Sequence, residues 1–262
     1  DDVESRGLGD VYKRQLLVAR CLIKTDAPYR LELKKLRISK SKLLEIVKIG
    51  LPAGMQGAVF SISNVLIQST INSFGSIAMA GSTAGGNIEG FVWTAMDAFT
   101  QSTLSFTGQN YGAKKFHRIT KVVWYNLGLV TVVGLVLGIG AYLVGPWVLQ
   151  VYSSDPEVIA YGLERMLLVC TPYALCGVMN VLVGAMRGLG SSLTPMVVSI
   201  FGVCVLRVVW IYTVFPLDPS FAMLFLSYPV TWAVTAAIEV VCFFVIRKKT
   251  IARAGGMAAD AD

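Results

Sequence analysis

The fold is decided by VVWYNLGLVTVVGLVLGIGAYLVGPWVLQVYSS, the stretch Val122–Ser154, which runs for 33 residues without a charged side chain. A helix that crosses a bilayer needs about 20 mostly apolar residues. Four further charge-free runs are Ile49–Ile88, Met166–Met186, Gly188–Leu206 and Pro219–Ile238. This pattern predicts an all-α, polytopic membrane protein.

Composition excludes the soluble alternatives. The chain has 262 residues, of which 55% are hydrophobic and 15% charged, whereas an ordinary soluble domain has about 25% charged residues. So few charges could not cover the surface of a soluble domain of this size. An ordinary soluble enzyme, a disordered chain and a disulfide scaffold are therefore excluded. A soluble helical bundle would need polar outer faces, and few are found.

Six spans fit the apolar segments, which are rich in Leu, Val, Ile, Ala and Gly and lack the alternation of barrel strands. They are predicted at about Ile49–Phe74, Ile77–Phe106, Thr120–Gly145, Val158–Ala185, Leu193–Phe215 and Phe221–Ile246. Pro146 and Pro216 are expected to stop the third and fifth spans, and Pro172 to kink the fourth.

The basic residues predict the orientation. With six spans, 21 of the 23 Lys and Arg fall on one side of the membrane, and only Arg165 and Arg207 lie inside spans. Positively charged loops stay cytoplasmic, so both termini are expected in the cytoplasm and Pro146–Glu157 outside. The net charge of +7 is then explained by topology and by contact with anionic membrane lipid, not by a nucleic-acid partner.

Motifs of catalysis are missing from the sequence. The five Cys form no C-x-x-C and are interpreted as free thiols, and the lone His117 lies in a loop, so no His/Cys metal site and no cofactor is expected. There is no H-E-x-x-H, G-x-S-x-G or Walker loop. A membrane-embedded enzyme would need such a constellation, so we expect neither an enzyme nor an ATP-driven pump.

Three stretches carry a family resemblance. They are IGLPAGMQGAVFSISNVLIQS at Ile49–Ser69, GNIEGFVWTAMDAF with the later TGQNYGAKKFHR inside Gly86–Arg118, and GAMRGLGSSLTP at Gly184–Pro195. Together they resemble the C-terminal half of the multidrug and toxic compound extrusion (MATE) family of secondary transporters. The resemblance runs from about Leu16 to Lys249.

The resemblance implies twelve spans in two six-helix lobes, with substrate held in a central cavity and exported in exchange for H⁺ or Na⁺. This chain would supply spans seven to twelve, in the cell (plasma) membrane, and its partner would be the missing N-terminal lobe of the same transporter. We divide the chain into 1–15, a non-native or disordered leader; 16–45, the end of a preceding span with a basic cytoplasmic connector; 46–249, the six-helix lobe; and 250–262, a cytoplasmic tail.

One departure from the family concerns coupling. One branch carries a Glu about eight residues after the Leu-Pro of the seventh span and an Asp about eleven residues before the Arg of the R-G turn. Here those positions are Phe60 and Cys176, which cannot hold a cation. A Na⁺ site of that type is therefore not expected in this lobe, and the coupling acid is expected in the missing lobe.

Polar side chains inside the spans mark the candidate substrate site. The first span carries a stripe on one helical face, Gly57, Ser61, Asn64, Gln68 and Asn72. Amides in hydrocarbon must face protein or water, so Asn64 and Gln68 are either a cavity wall or interhelical packing glue. In the fourth span Tyr173 and Asn180 share a face beside Pro172, whose kink is either a hinge for alternating access or a static bend.

The second span carries Glu89, Trp93 and Asp97 on one broad face. Trp93 could stack on a cationic or aromatic substrate. The two acids are either functional or paired groups that fix packing, and the preceding Gly81–Gly86 is expected to admit a neighbouring helix or to let this one bend. Matching depths in the membrane predict a buried ion pair between Glu89 and Arg207, whereas Glu239 is interpreted as structural.

These residues favour an ion-coupled exporter of amphipathic, often cationic, organic compounds. The first alternative is a lipid-linked oligosaccharide flippase, which would need several basic residues in the cavity; only Arg207 and Arg165 are available. The second alternative is an inactive half-transporter fragment, because half of the cavity would be missing.

Overall fold

The computed structural model describes residues 15–25, 30–31, 37 and 39–259, with side chains through residue 252. The predicted leader 1–15 lies outside the described residues except for residue 15, as does the tail beyond residue 259. The chain divides into two units, Asp1–Ile46 and Val47–Asp262. In the first unit, residues 15–24 are helical and a second helix begins at Lys40.

The described residues form helices and no strand. The helices are α1 Lys40–Asn72, α2 Ser76–Gly112, α3 Phe116–Leu149, α4 Pro156–Cys170, α5 Tyr173–Gly188, α6 Leu193–Ser199, a π-helical segment Ile200–Val205, α7 Leu206–Thr213, a 3₁₀ turn Phe215–Leu217 and α8 Phe221–Ala259. The all-α prediction is confirmed.

Four helical stretches are long and apolar enough to cross a membrane, namely Lys40–Asn72, Phe116–Leu149, Leu193–Leu217 and Phe221–Ala252. The pair α4 and α5 meets the same criterion when the two helices are counted together as one span, and they are bent by 44° at the break between them. This bend confirms the kink predicted at Pro172. Helix α2 also coincides with a predicted span and has 37 residues, but its many polar side chains leave it outside this apolar group. The protein is therefore a multi-pass membrane protein.

One of the two prolines expected to stop a span acts differently from the prediction. Pro146 does not stop the third helix, since α3 continues through it to Leu149. Pro146 leaves the carbonyl oxygen of Tyr142 without its usual helical donor, but only three residues of helix follow the proline. Pro216 does mark the end of the fifth span, since it lies in the 3₁₀ turn that follows α7 and the span ends at Leu217.

Small residues let the helices of the second unit touch. A Cβ atom added to Gly81 of α2 would collide with the carbonyl oxygen of Val158 on α4. One added to Gly134 of α3 would lie 2.9 Å from the Cα atom of Ala174 on α5. Without a hydrophobic driving force between helices in lipid, such close backbone packing stabilises the bundle. The close approach predicted for Gly81–Gly86 is confirmed.

A column of aromatic rings lines one face of α8. Its members are Phe221, Phe225, Tyr228 and Trp232, at spacings of 4, 3 and 4 residues. Neighbouring rings are in contact, with centroids 4.8 Å, 5.7 Å and 5.6 Å apart in that order. The Trp232 ring also meets Tyr173 of α5 edge-to-face at 5.3 Å. This column packs α8 against α5, and two of its members, Tyr228 and Trp232, line the cavity described next.

Candidate functional site

A cavity of about 560 Å³ lies among α1, α2, α4, α5, α8 and the π-helical and α7 segments. Its lining is mixed, with amides, charged groups, aromatic rings and aliphatic side chains. The lining residues include Phe60, Asn64, Gln68, Glu89, Trp93, Arg165, Tyr173, Cys176, Met179, Asn180, Val203, Arg207, Tyr228 and Trp232. A volume in this range and a few polar groups among apolar ones are typical of small-molecule sites.

The structure gathers nearly all the residues that the sequence singled out. Asn64, Gln68, Glu89, Trp93, Tyr173, Asn180 and Arg207 all line this cavity. Asp97 does not; it accepts a hydrogen bond from Gln101 Nε2 at 3.3 Å. Asp97 lies two turns beyond Glu89 and about 80° further around α2, which takes it past the end of the lining.

Glu89 is bonded to Arg165. The guanidinium Nη2 of Arg165 donates to Glu89 Oε2 at 2.7 Å, and the Tyr173 hydroxyl donates to Glu89 Oε1 at 3.4 Å. Arg165 Nη1 also donates to the carbonyl and hydroxyl oxygens of Ser82, at 2.9 Å and 2.8 Å. The two side chains of the ion pair are 15–16% exposed. Because Arg165 pairs with it, the carboxylate of Glu89 adds no net charge to the cavity wall.

This pairing corrects the predicted bond between Glu89 and Arg207. Depth in the membrane suggested Arg207 as the partner of Glu89. Which arginine reaches Glu89 depends instead on which helix packs against that face of α2, and this helix is α4. Gly86 makes room for the bond, because a Cβ atom there would lie 3.1 Å from the Cζ atom of Arg165. The guanidinium thus occupies the space that a side chain at position 86 would fill.

Arg207 has aromatic partners in place of an acid. Its side chain is buried, with 3% of the residue exposed, and its Cζ atom lies 3.8 Å from the centroid of the Tyr228 ring. The Trp232 ring is 6.0 Å away, and Nε donates to Thr231 Oγ1 at 3.4 Å. Within the described part of the chain, no carboxylate pairs with Arg207.

The amides of α1 face the cavity. Asn64 and Gln68 are exposed, and Gln68 Nε2 donates a hydrogen bond to Asn72 Oδ1 on the same helix, at 3.2 Å. The bond that joins α1 to another helix is made by Gln56, which accepts from Arg187 Nη2 at 2.8 Å. Because Gln56 makes a bond to another helix and Gln68 bonds only within α1, we favour the interpretation of Asn64 and Gln68 as a cavity wall over their interpretation as interhelical contacts.

Sequence reasoning missed three contributors. Arg165 was noted as a charge inside a span but was not assigned to Glu89, and Tyr228 and Trp232 were not singled out. The 4-3-4 aromatic spacing on α8 was a usable signal for the last two, since it places the rings on one face. Phe60 and Cys176, the positions without an acid, line the same cavity.

No group of three or more His, Cys, Asp or Glu that could hold a metal ion occurs among the residues the structure describes. The lining offers groups that bind a ligand: aromatic rings for stacking, amides for hydrogen bonds, and the guanidinium groups of Arg165 and Arg207.

Comparisons with known proteins give relatives and a fold. YoeA of Bacillus subtilis, a probable multidrug resistance protein, is 25% identical over 168 residues, which are 64% of this chain and 36% of YoeA. A MOP superfamily transporter from Pyrococcus furiosus superposes with a TM-score of 0.81 at 17% identity, covering 90% of this chain and 53% of that one. The MATE transporter VcmN of Vibrio cholerae, in its bent form, gives 0.76 at 18% identity over 85% of this chain and 51% of VcmN.

The chain spans about half the length of these solved structures and aligns to about a third of YoeA. The MatE family model matches residues 52–213, which include every cavity helix except α8. A match over more than half of the chain, on helices folded like those of solved MATE transporters, establishes that the chain belongs to the MatE family.

Proposed function

We propose that this chain is one lobe of a secondary transporter that exports amphipathic organic compounds by alternating access. The carrying observation is the cavity among membrane helices, lined by amides, aromatic rings and charges. Such a wall suits compounds with an apolar body and a few polar groups. The name of YoeA, a probable multidrug resistance protein, supports the same role.

The partner of this lobe is proposed to be an N-terminal lobe of the same transporter. The lining residues Asn64 and Gln68 are exposed and Trp93 is 44% exposed, so the cavity is open on this face of the lobe. A second lobe facing it would close the cavity, and an isolated half would be inert.

Coupling to H⁺ or Na⁺ is proposed to use an acid outside this lobe. Phe60 and Cys176 cannot bind a cation, and Glu89 is already neutralised by Arg165. Transport by the protein from its complete gene should therefore need neither Phe60→Glu nor Cys176→Asp. A requirement for either substitution before any activity appears would contradict this assignment.

The test of function is drug resistance and dye efflux in cells that express the complete gene and lack their own exporters, with Na⁺ and pH varied separately. We expect Trp93→Ala to reduce efflux severalfold, because the ring lies in the cavity. Trp147→Ala is the matched control, since Trp147 is an exposed tryptophan on α3 outside the lining. Equal efflux by both variants, or none from the natural protein, would contradict the proposal.

The proposed orientation places both termini in the cytoplasm of a cell whose plasma membrane holds the protein. A cysteine at Ser153, between α3 and α4, should react with an impermeant reagent applied to intact cells. A cysteine at Lys115, between α2 and α3, should react only after permeabilisation. The opposite labelling pattern would invert the topology.

A lipid-linked oligosaccharide flippase is the second candidate, favoured by the presence of both Arg165 and Arg207 in the cavity. A pyrophosphate would require several free cations, and Arg165 is occupied by Glu89. Efflux of dyes without accumulation of lipid-linked precursors in a deletion strain would exclude this candidate.

A further inference from the structure

We propose that Arg207 is an anion-binding subsite of the cavity, which takes a carboxylate or phosphate group carried by an amphipathic substrate. The proposal rests on the proposed transport function and specifies its substrate class. It differs from the expectation of an often cationic substrate.

The first support is the charge balance of the lining. Three charged residues line the cavity in the described part of the chain: Glu89, Arg165 and Arg207. The first two neutralise each other through the 2.7 Å ion pair. One positive charge remains, and it belongs to Arg207. A cavity with this balance attracts anions and repels cations.

The second support is the way in which Arg207 is held. A buried arginine is costly unless its donors have partners, yet among the described residues only Nε of Arg207 has a hydrogen-bond acceptor, the Thr231 hydroxyl at 3.4 Å. The two terminal nitrogens have no such acceptor there. Stacking on Tyr228 at 3.8 Å fixes the plane of the guanidinium while leaving its edge donors available. A planar fork held in this way matches a carboxylate or phosphate with two parallel hydrogen bonds.

The third support is the surroundings of the guanidinium. Trp232 and Tyr173 meet edge-to-face beside it, and the Cys176 and Asn180 side chains complete the adjoining wall. Aromatic faces next to a fixed cation suit a ligand with a flat apolar body and one anionic group. The same chemistry is offered by a dissolved compound and by the headgroup of an anionic lipid, so the test must separate these sources.

The experiment uses the protein from its complete gene, purified and reconstituted in phosphatidylcholine vesicles, with two matched fluorescent pairs. Riboflavin and riboflavin 5′-phosphate differ by a phosphate, and rhodamine 123 and the zwitterion rhodamine 110 differ by an ester against a carboxylate. In each pair the compound that carries the phosphate or carboxylate group is called the anionic member. Binding is followed by fluorescence anisotropy and corrected with empty vesicles. In at least one pair, we expect the anionic member to bind more tightly than its partner by a factor of about ten or more.

Three variants locate that preference. Arg207→Gln should remove it while leaving the affinity for the uncharged or cationic member nearly unchanged, which also reports that the cavity has folded. Arg207→Lys should retain part of it, because an ammonium keeps the charge but lacks the planar fork. Arg247→Gln is the matched control, since Arg247 is a partly buried arginine on α8 outside the cavity lining, and it should behave as the natural protein.

Two results would overturn the proposal: neither anionic member binding more tightly than its partner, or a preference that survives Arg207→Gln. Export is measured separately, so the absence of export for every dye would contradict the transport function, whatever the binding preference. Replacing phosphatidylcholine by phosphatidylglycerol distinguishes the sources. Competition with riboflavin 5′-phosphate would identify a lipid headgroup as the ligand, and unchanged affinity would identify a dissolved compound.

Discussion

The two arginines of the cavity are compensated in different ways. Arg165 is bonded to an acid, a serine and a backbone carbonyl, whereas Arg207 lies on a tyrosine ring with one hydroxyl as acceptor. In an ion pair the charge of the arginine is neutralised by its partner and is no longer available to a ligand. An aromatic face stabilises a cation by roughly 0.5–2 kcal/mol and leaves its hydrogen-bond donors available. The first arginine therefore serves packing, and the second can serve a ligand.

Removing the acid should give the largest effect. Glu89→Gln leaves the charge of Arg165 uncompensated, and breaking a buried pair costs about 3–5 kcal/mol. Because both side chains keep some exposure, we expect the lower end, about 3 kcal/mol, in thermal unfolding of the detergent-purified protein. The double variant Glu89→Gln, Arg165→Gln should recover part of the loss.

The control for this prediction is an exposed pair. Glu45 accepts from Lys42 at 3.0 Å in a solvent-exposed position, and Glu45→Gln should change the free energy of unfolding by less than about 0.5 kcal/mol. A double variant less stable than Glu89→Gln alone would show that Arg165 is stabilised chiefly by Ser82 and not by the acid.

Placing a carboxylate beside Arg207 should neutralise its charge, as Glu89 neutralises that of Arg165. Cys176 lies in the same lining and within electrostatic reach of Arg207. Cys176→Asp should pair with that guanidinium and weaken the binding of riboflavin 5′-phosphate by about tenfold. Cys176→Asn, which has the same shape without the charge, is the control. Equal affinities for the two variants would show that the anion binds elsewhere.

A side chain that crowds Arg165 should have a smaller effect, which is limited to the free energy of unfolding. Gly86→Ala places a Cβ atom 3.1 Å from the Arg165 guanidinium, whereas Gly90→Ala, also on α2 and in the lining, meets nothing within 4 Å. We expect Gly86→Ala to be about 1 kcal/mol less stable than Gly90→Ala. Equal unfolding temperatures would mean that Arg165 moves aside freely.

Changing the ring beneath Arg207 should have the smallest effect. Tyr228→Leu removes the aromatic face and should weaken riboflavin 5′-phosphate binding about threefold, since the guanidinium loses its fixed plane. Tyr228→Phe keeps the face and should bind as the natural protein does. A loss of binding in Tyr228→Phe would assign the role to the hydroxyl group instead.

The sequence predicted the fold well because the bilayer imposes one dominant rule. Charge-free runs of sufficient length can only be spans, so the all-α fold could be derived from composition. The polar stripe of α1 was placed on one face by helical periodicity alone, and Asn64 and Gln68 indeed line the cavity.

The pairing of charges could not be derived in the same way. Depth along a span follows from counting residues, but the rotation of one helix against another depends on packing. Gly81 and Gly86 allow α4 to pack closely on α2, and this contact places Arg165 beside Glu89. The contact could not be derived by comparing how deep Glu89 and Arg207 lie in the membrane. Asp97 was grouped with Glu89 on a broad face, although 80° of rotation was enough to take it out of the cavity.

The π-helical segment Ile200–Val205 has a consequence for how such a cavity can change between relatives. A π turn closes its hydrogen bonds one residue later than an α turn, so it acts as a single inserted residue. Deleting one residue there would restore α-helical closure and leave the helix on either side at the same rotation about its axis. Arg207, two residues beyond the segment, would stay in the cavity, whereas a deletion inside the α-helical turns around it would rotate it by about 100°. The segment therefore allows the length of this span to differ between relatives by one residue without changing which side chains line the cavity.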